Sequence, residues 1–252
     1  MNTLKTGFNW FDQLLPQGFP VGTSTIIGGP GGSGKPLIGD IIVAAWLKQG
    51  GSVVFMSLQY PKRDFIFASL KNVADMDLAD YADHTIFIEL DATIDEMESP
   101  QGNGFKANLV KPNIWHDAIE KACAMLPNSD PGILVFGSAL NLLLFSPTYA
   151  NDTLNAIQKT LTTHKENRTY VFSVSDKPKA GEIAKLTKNA DNVIVSHKAD
   201  DKFVLFMSIK KIKNVPFDSA EITVPIPKST LEEMKAVAHH SRQRVIPLIS
   251  KI

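Results

Sequence analysis

Residues Gly29-Pro30-Gly31-Gly32-Ser33-Gly34-Lys35-Pro36 follow the phosphate-binding pattern G-x-x-x-x-G-K-[ST] at every position but the last. In that pattern the backbone amides of the glycine turn and the helix behind it cradle phosphate oxygens, the lysine bridges the outer phosphates, and the Ser/Thr hydroxyl holds magnesium. Gly29, Gly31, Gly32, Ser33, Gly34 and Lys35 supply the cradle here. Pro36 removes the metal-binding oxygen and one amide at the mouth of the helix, although proline suits a first helical turn sterically. The expectation is a cradle that takes ATP, another nucleotide or a simple anion weakly, with no magnesium site.

The surrounding elements are those such a loop needs. Thr23-Ser24-Thr25-Ile26-Ile27 is β-branched and runs directly into the glycines, and an apolar helical run opens at Pro36-Leu37 and stops at Gln49-Gly50-Gly51. Ser52-Val53-Val54-Phe55-Met56-Ser57-Leu58 has no polar alternation, as a parallel strand buried on both faces requires. A helix from about Lys62 to Val73 follows, then strands at residues 85–90, 132–136 and 169–174, with helices at residues 114–126 and 153–164 (Thr153 to His164). This alternation predicts an α/β fold, a mostly parallel central sheet with helices on both faces. Residues 91–113 are long, polar and broken by Pro100, Gly102, Gly104 and Pro112, and read as a loop, with 99–104 a mobile tract. In the last third, residues 192–196 and 202–209 are joined by so short a link, around Asp200-Asp201, that they must form an antiparallel hairpin. An edge strand at residues 221–224 and a helix at 231–240 complete the reading, and the tail from Arg242 to Ile249 is left unassigned.

The lead-in carries a resemblance. Thr6-Gly7-Phe8-Asn9-Trp10-Phe11-Asp12-Gln13-Leu14-Leu15, followed by Gly18-Phe19-Pro20-Val21-Gly22, is similar to the T-G-x-x-x-hydrophobic-D-x-L-L segment and G-x-P-x-G turn of the RecA/KaiC-like ATPases. The likeness runs to about Val224. It implies a RecA-like core with nucleotide at a protomer edge, organised as one domain over residues 1–252: lead-in 1–22, core 23–224, and C-terminal helix and tail 225–252.

Measured against that family, chemistry is missing at further positions. The resemblance implies a magnesium-orienting acid after the fourth strand, where Ile133-Leu134-Val135-Phe136 is followed by Gly137-Ser138. It implies a water-polarising glutamate after the second, where Ser57-Leu58 leads to Gln59-Tyr60. A neutral amide cannot act as a general base. Pro36, Gly137 and Gln59 together mark a pseudo-ATPase with no catalytic set, a regulator or scaffold. The alternatives are a relocated acid, for which Asp40, Asp64 and Asp91 are available, and an atypical active ATPase associated with DNA.

Lys210-Lys211-Ile212-Lys213 resembles the family's K-M-R-G segment, whose basic residues reach a neighbouring subunit's nucleotide. Lys211 and Lys213 match it, with lysine's point charge in place of an arginine fork. The same lysines also suit a solvated edge strand. Lys177, Lys179, Lys185 and Lys188 lie where recombinases carry a DNA-contacting loop. Without an aromatic residue to stack on bases, a solvated loop is the favoured reading over nucleic-acid binding.

Composition narrows the classes further. The 252 residues are 44% hydrophobic, and 26 basic residues balance 26 acidic ones, so no global field draws the chain to polyanions. Cys123 is the only cysteine, which excludes an intrachain disulfide or a cysteine-cluster metal site. His239-His240 lack metal-ligand partners at useful spacing. The longest apolar stretch, residues 133–145, falls short of a membrane span. A cytoplasmic protein with a protein partner or self-association is expected, as a monomer, dimer or nucleotide-independent oligomer.

Overall fold

The computed structural model describes residues 2–59, 63–163, 167–199 and 204–252. In chain order the elements are β1 (Thr3–Leu4), α1 (Asn9–Leu14), β2 (Phe19–Pro20), β3 (Ser24–Gly28), α2 (Lys35–Lys48), β4 (Ser52–Ser57) and α3 (Asp64–Ala74). There follow β5 (Thr85–Leu90), β6 (Gly104–Ala107), α4 (Pro112–Ala124), β7 (Ile133–Gly137), α5 (Ala150–Thr162) and β8 (Arg168–Ser173). The chain continues through α6 (Ala180–Asn189), β9 (Asn192–Lys198), β10 (Leu205–Lys211), β11 (Ile222–Val224) and α7 (Lys228–Ile249). Short 3-10 segments span Leu78–His84 and Leu140–Phe145.

Nine strands form one sheet in the order β11-β10-β9-β3-β8-β7-β4-β5-β6. All neighbouring pairs from β9 to β6 are parallel, and β9-β10 and β10-β11 are antiparallel, the hairpin arrangement expected of the last third. Alternation along each strand divides the core into two layers. Val54 and Met56 face the layer closed by α4 and α5, whereas Val53 and Phe55 face the layer holding α2, α3 and the lead-in. Helix α2 is buried almost all round, from Leu37 through Leu47, because sheet, α3 and lead-in enclose it. Its apolar run therefore shows no amphipathic stripe. It ends where Gly50 takes a φ of 87°, a left-handed cap that a glycine provides without a Cβ clash.

Three expectations need correction. Residues 91–113 are not one loop: β6 lies within them and pairs parallel to β5, and the backbone of residues 96–101 folds over its outer edge. The 99–104 tract is bridged between Gln101 and Gly104. Lys177, Lys179, Lys185 and Lys188 do not share a loop, because α6 begins at Ala180 once Ile183 and Leu186 find a place against the core. Finally, the helix expected over 231–240 is longer, since α7 runs from Lys228 to Ile249 and takes in the unassigned tail. The expected roles of Tyr60, Lys62, His164, Asp200-Asp201 and Lys202-Phe203 lie outside the described residues.

Candidate functional site

The glycine loop leaves β3 at the centre of the sheet, between the ends of β8 and β9, the crevice where open α/β sheets bind ligands. Its shape is held from both sides. A β-carbon on Gly29 would lie 2.0 Å from the Ser196 carbonyl oxygen on β9, so only glycine allows this approach. Ser33 and Ser196 join hydroxyls at 2.9 Å, and the Ser196 hydroxyl also donates to the Ser33 carbonyl at 2.9 Å. The Asp176 amide, from the turn after β8, donates to the Gly29 carbonyl at 3.2 Å. Gly34 then turns into α2 with a φ of 62°.

Lys35 opens α2 but folds back on its own loop. Its ammonium donates to the carbonyls of Gly29 (2.9 Å) and Pro30 (2.6 Å) and to the Ser33 hydroxyl at 3.3 Å. Burial pushes this ammonium down to about 8, Asp176 opposes that shift, and Arg242 on α7 adds to it. Pro36 sits in the first turn of α2, where an N–H would have no helical acceptor in any case.

Pro36 and Gln59 line one cavity with Ser33, Gly34 and Lys35, walled on the far side by Ser173, Ser175 and α7. Gly137 closes β7 beside it. A β-carbon there would stand 3.1 Å from the Phe172 ring and 3.4 Å from the Met56 β-carbon, so the ground next to Gly137 is already filled. Beyond it, Ala139 holds a left-handed φ of 57° and its amide donates to the Ser173 hydroxyl at 3.1 Å. No carboxylate is among the described residues that line this cavity.

The acids offered as substitutes lie elsewhere. Asp40 is buried one turn further along α2, accepts a hydrogen bond from Ser69 on α3, and is pushed by burial up to about 7. Asp64 opens α3 and Asp91 pairs with Lys106 next to β6. Among the described residues no group of acids, histidines or cysteines is placed to hold a metal ion.

The other predicted residues are not gathered at the loop. The Lys211 ammonium donates to the Ala190 carbonyl at 2.6 Å and Lys213 pairs with Asp191 at 2.9 Å, both at the start of β9, the opposite end of the sheet. Lys177 is exposed in the turn before α6, Lys179 reaches over the Phe145 ring at 5.8 Å, and Lys185 and Lys188 project from α6 into solvent. Cys123 is buried in the core. No described helix is long and apolar enough to cross a membrane.

Sequence reasoning missed the contribution of α7. Leu231, Met234, Lys235, Ala238 and Arg242 complete the cavity wall, and a β-carbon on Gly31 would lie 3.5 Å from an Arg242 guanidinium nitrogen. The signal was a faint stripe, Thr230, Met234, Ala238, Ser241, Val245 and Ile249, spaced as one helical face but with small side chains at half its positions.

With this geometry in view, the chain can be set beside known proteins. The family model described as the KaiC ATPase matches residues 4–235. A KaiC-like protein from the hyperthermophilic archaeon Pyrococcus horikoshii OT3 superposes with a TM-score of 0.68 at 16% identity, covering 90% of this chain and 96% of that one. The flagellar accessory protein FlaH from Methanocaldococcus jannaschii gives 0.63 at 14% identity, covering 88% and 94%. At such identities these structures speak for the fold alone. No curated protein matches the sequence.

Proposed function

The chain belongs to the KaiC family of P-loop ATPases, and from that premise we propose that it is a non-hydrolysing member acting through a bound protein partner or self-association. The observation that carries the reading is the make-up of the cavity at the glycine loop. Lys35, Lys235 and Arg242 line it, Pro36 and Gln59 stand at two of the reactive positions, and no described carboxylate joins them.

Phosphoryl transfer to water needs a cation to neutralise charge on the phosphates and a group to orient the attacking water. Hard cations such as magnesium bind to oxygens, above all carboxylates and hydroxyls. Ser33, Ser173 and Ser175 offer hydroxyls, yet Ser33 is engaged with Ser196 and Lys35, and Ser173 is engaged with Ala139. Lysine and arginine can still attract an anion. The residues therefore fit a phosphate-bearing ligand held by charge and backbone amides, without a metal ion. In this reading residues 29–35 are a weak nucleotide or anion cradle in a single RecA/KaiC-like domain, and signalling replaces turnover as its use.

The test is ATP hydrolysis with and without magnesium, alongside calorimetric binding of ATP. Turnover at background is expected, with an affinity that chelation of magnesium leaves unchanged. Magnesium-dependent turnover that disappears in Lys35→Ala would overturn the proposal.

A further inference from the structure

Helix α7 lies across the mouth of the cradle. Built β-carbons show how closely: on Gly34 one would stand 3.1 Å from a Leu231 methyl, and on Gly32 one would stand 3.6 Å from the Lys235 side chain. With Arg242 over Gly31, three residues spread along α7 roof three residues of the loop. The space left beneath is about 50 Å³. A water molecule occupies roughly 10–15 Å³ on such a measure, so a few waters fit. Pockets for nucleotide-sized ligands run to roughly 300–1,000 Å³. With α7 in this position the loop has little room for a triphosphate.

The roof is held mainly at its ends. Ile249 is fully buried against the α4–α5 layer, and beyond it the Ile252 carbonyl accepts from the Ser146 hydroxyl at 2.5 Å and the Thr148 amide at 3.4 Å. At the other end Thr230 is buried, and Met234 rests its sulfur 3.7 Å from the Ser69 hydroxyl. Between them the downward face offers Ala238 and Ser241, which give little apolar surface to hold it. Arg242 brings a like charge close enough to act on Lys35, although Asp176 acts on Lys35 more strongly in the opposite sense. Among the described residues neither Lys235 nor Arg242 forms a salt bridge. Pro247, inside the helix, lacks the N–H that would bond one turn back, which makes a natural hinge between the roof and the Ile249 anchor.

We infer that α7 is a strap in the same chain that competes with nucleotide: a nucleoside triphosphate reaches the glycine loop only when residues 228–246 lift away, pivoting at Pro247. The inference rests on residues 29–35 being a nucleotide cradle, but not on whether the site hydrolyses what it binds. A binding-competent state that is open only a small fraction of the time lowers apparent affinity by that fraction.

Two measurements on the full chain decide it. Hydrogen exchange of the α7 amides is followed with and without 10 mM ATP, on the order of the highest nucleotide levels a weak site would need. At least a tenfold faster exchange over residues 228–246 is expected with ATP; unchanged or slower exchange overturns the strap. Ala238→Trp, too large for the closed helix, should expose α7 and tighten ATP binding at least tenfold. A folded Ala238→Trp protein whose α7 exchanges freely yet binds ATP no better also overturns it. Should that variant not fold, the exchange experiment on the unmodified chain stands as the decision. Turnover measured in the same samples would remove the non-hydrolysing reading while leaving the strap intact.

Discussion

The lead-in and the glycine-loop crevice both carry parts of the family's pattern, yet their residues do different work. In the lead-in, the Asp12 carboxylate accepts from the Thr6 amide and hydroxyl, each at 2.9 Å, and from the Gly7 amide at 3.0 Å, while Phe11, Leu15 and Phe19 are fully buried. Thr6, Gly7 and Asp12 thus hold the chain's shape whether or not any ligand binds. At the crevice, Pro36, Gly137 and Gln59 occupy positions whose expected acids and hydroxyl would act on a ligand. Pro36 suits the first turn of α2 and Gln59 follows β4, so neither interrupts an element, whereas Gly137 is hemmed in by the Phe172 ring. Shape is secured by many mutually dependent contacts, whereas a reactive group touches mainly what it acts on, so on the proposed reading the fold would have outlasted its chemistry.

The strongest way to break this contrast is to ask whether the glycine loop is itself architecture. Gly29→Ala would push a methyl to 2.0 Å from the Ser196 carbonyl at a φ of 149°, so β9 and the loop would have to part. We expect a loss of about 3 kcal/mol or more in urea denaturation, in the range of severe overpacking combined with backbone strain. A neutral result would mean the loop is held less firmly than its contacts imply.

Asp12→Ala should follow in size, because three hydrogen bonds at a half-buried turn are lost together. A cost of about 1–3 kcal/mol is expected, with no change in ATP binding by calorimetry. An altered affinity would erase the distinction between the two regions.

Asp40 sharpens the contrast with a smaller effect. Its carboxyl, held near 7 by burial against an ordinary 3.8, keeps a proton in the folded state that the unfolded chain gives up. Stability from this group is therefore full below about pH 4 and is lost as pH rises through about 7. Asp40→Asn removes that dependence. Thermal melting should move up by a few degrees at pH 8 and scarcely at all at pH 4.

The central strands were legible because they are buried on both faces and read as unbroken apolar runs, as Val53-Val54-Phe55-Met56 does. The cradle was legible because glycine and lysine spacing is set locally. β6 was not, since Gly104-Phe105-Lys106-Ala107 is short and set in a polar tract, and its pairing with β5 is a tertiary event. Nor was the roof over the loop. Lys235 and Arg242 look like surface charges on a terminal helix, and only long-range packing brings them to Gly31 and Gly32. A helix face that sets threonine, alanine and serine among methionine, valine and isoleucine gives only a weak hydrophobic pattern.

The outer rims of the sheet bear on how this protein can meet others. Beyond β6, the Glu98 amide donates to the Lys106 carbonyl at 2.9 Å, the Gln101 amide donates to Gly104 at 2.8 Å and the Asn108 amide donates to Glu96 at 2.9 Å. At the opposite rim β11 is only three residues long. One rim is thus sealed by the chain's own backbone and the other is too short to template a strand from another molecule. Among the described residues neither rim of this nine-stranded sheet offers a long free row for strand addition, which leaves side chains as the readier means of recognising a partner.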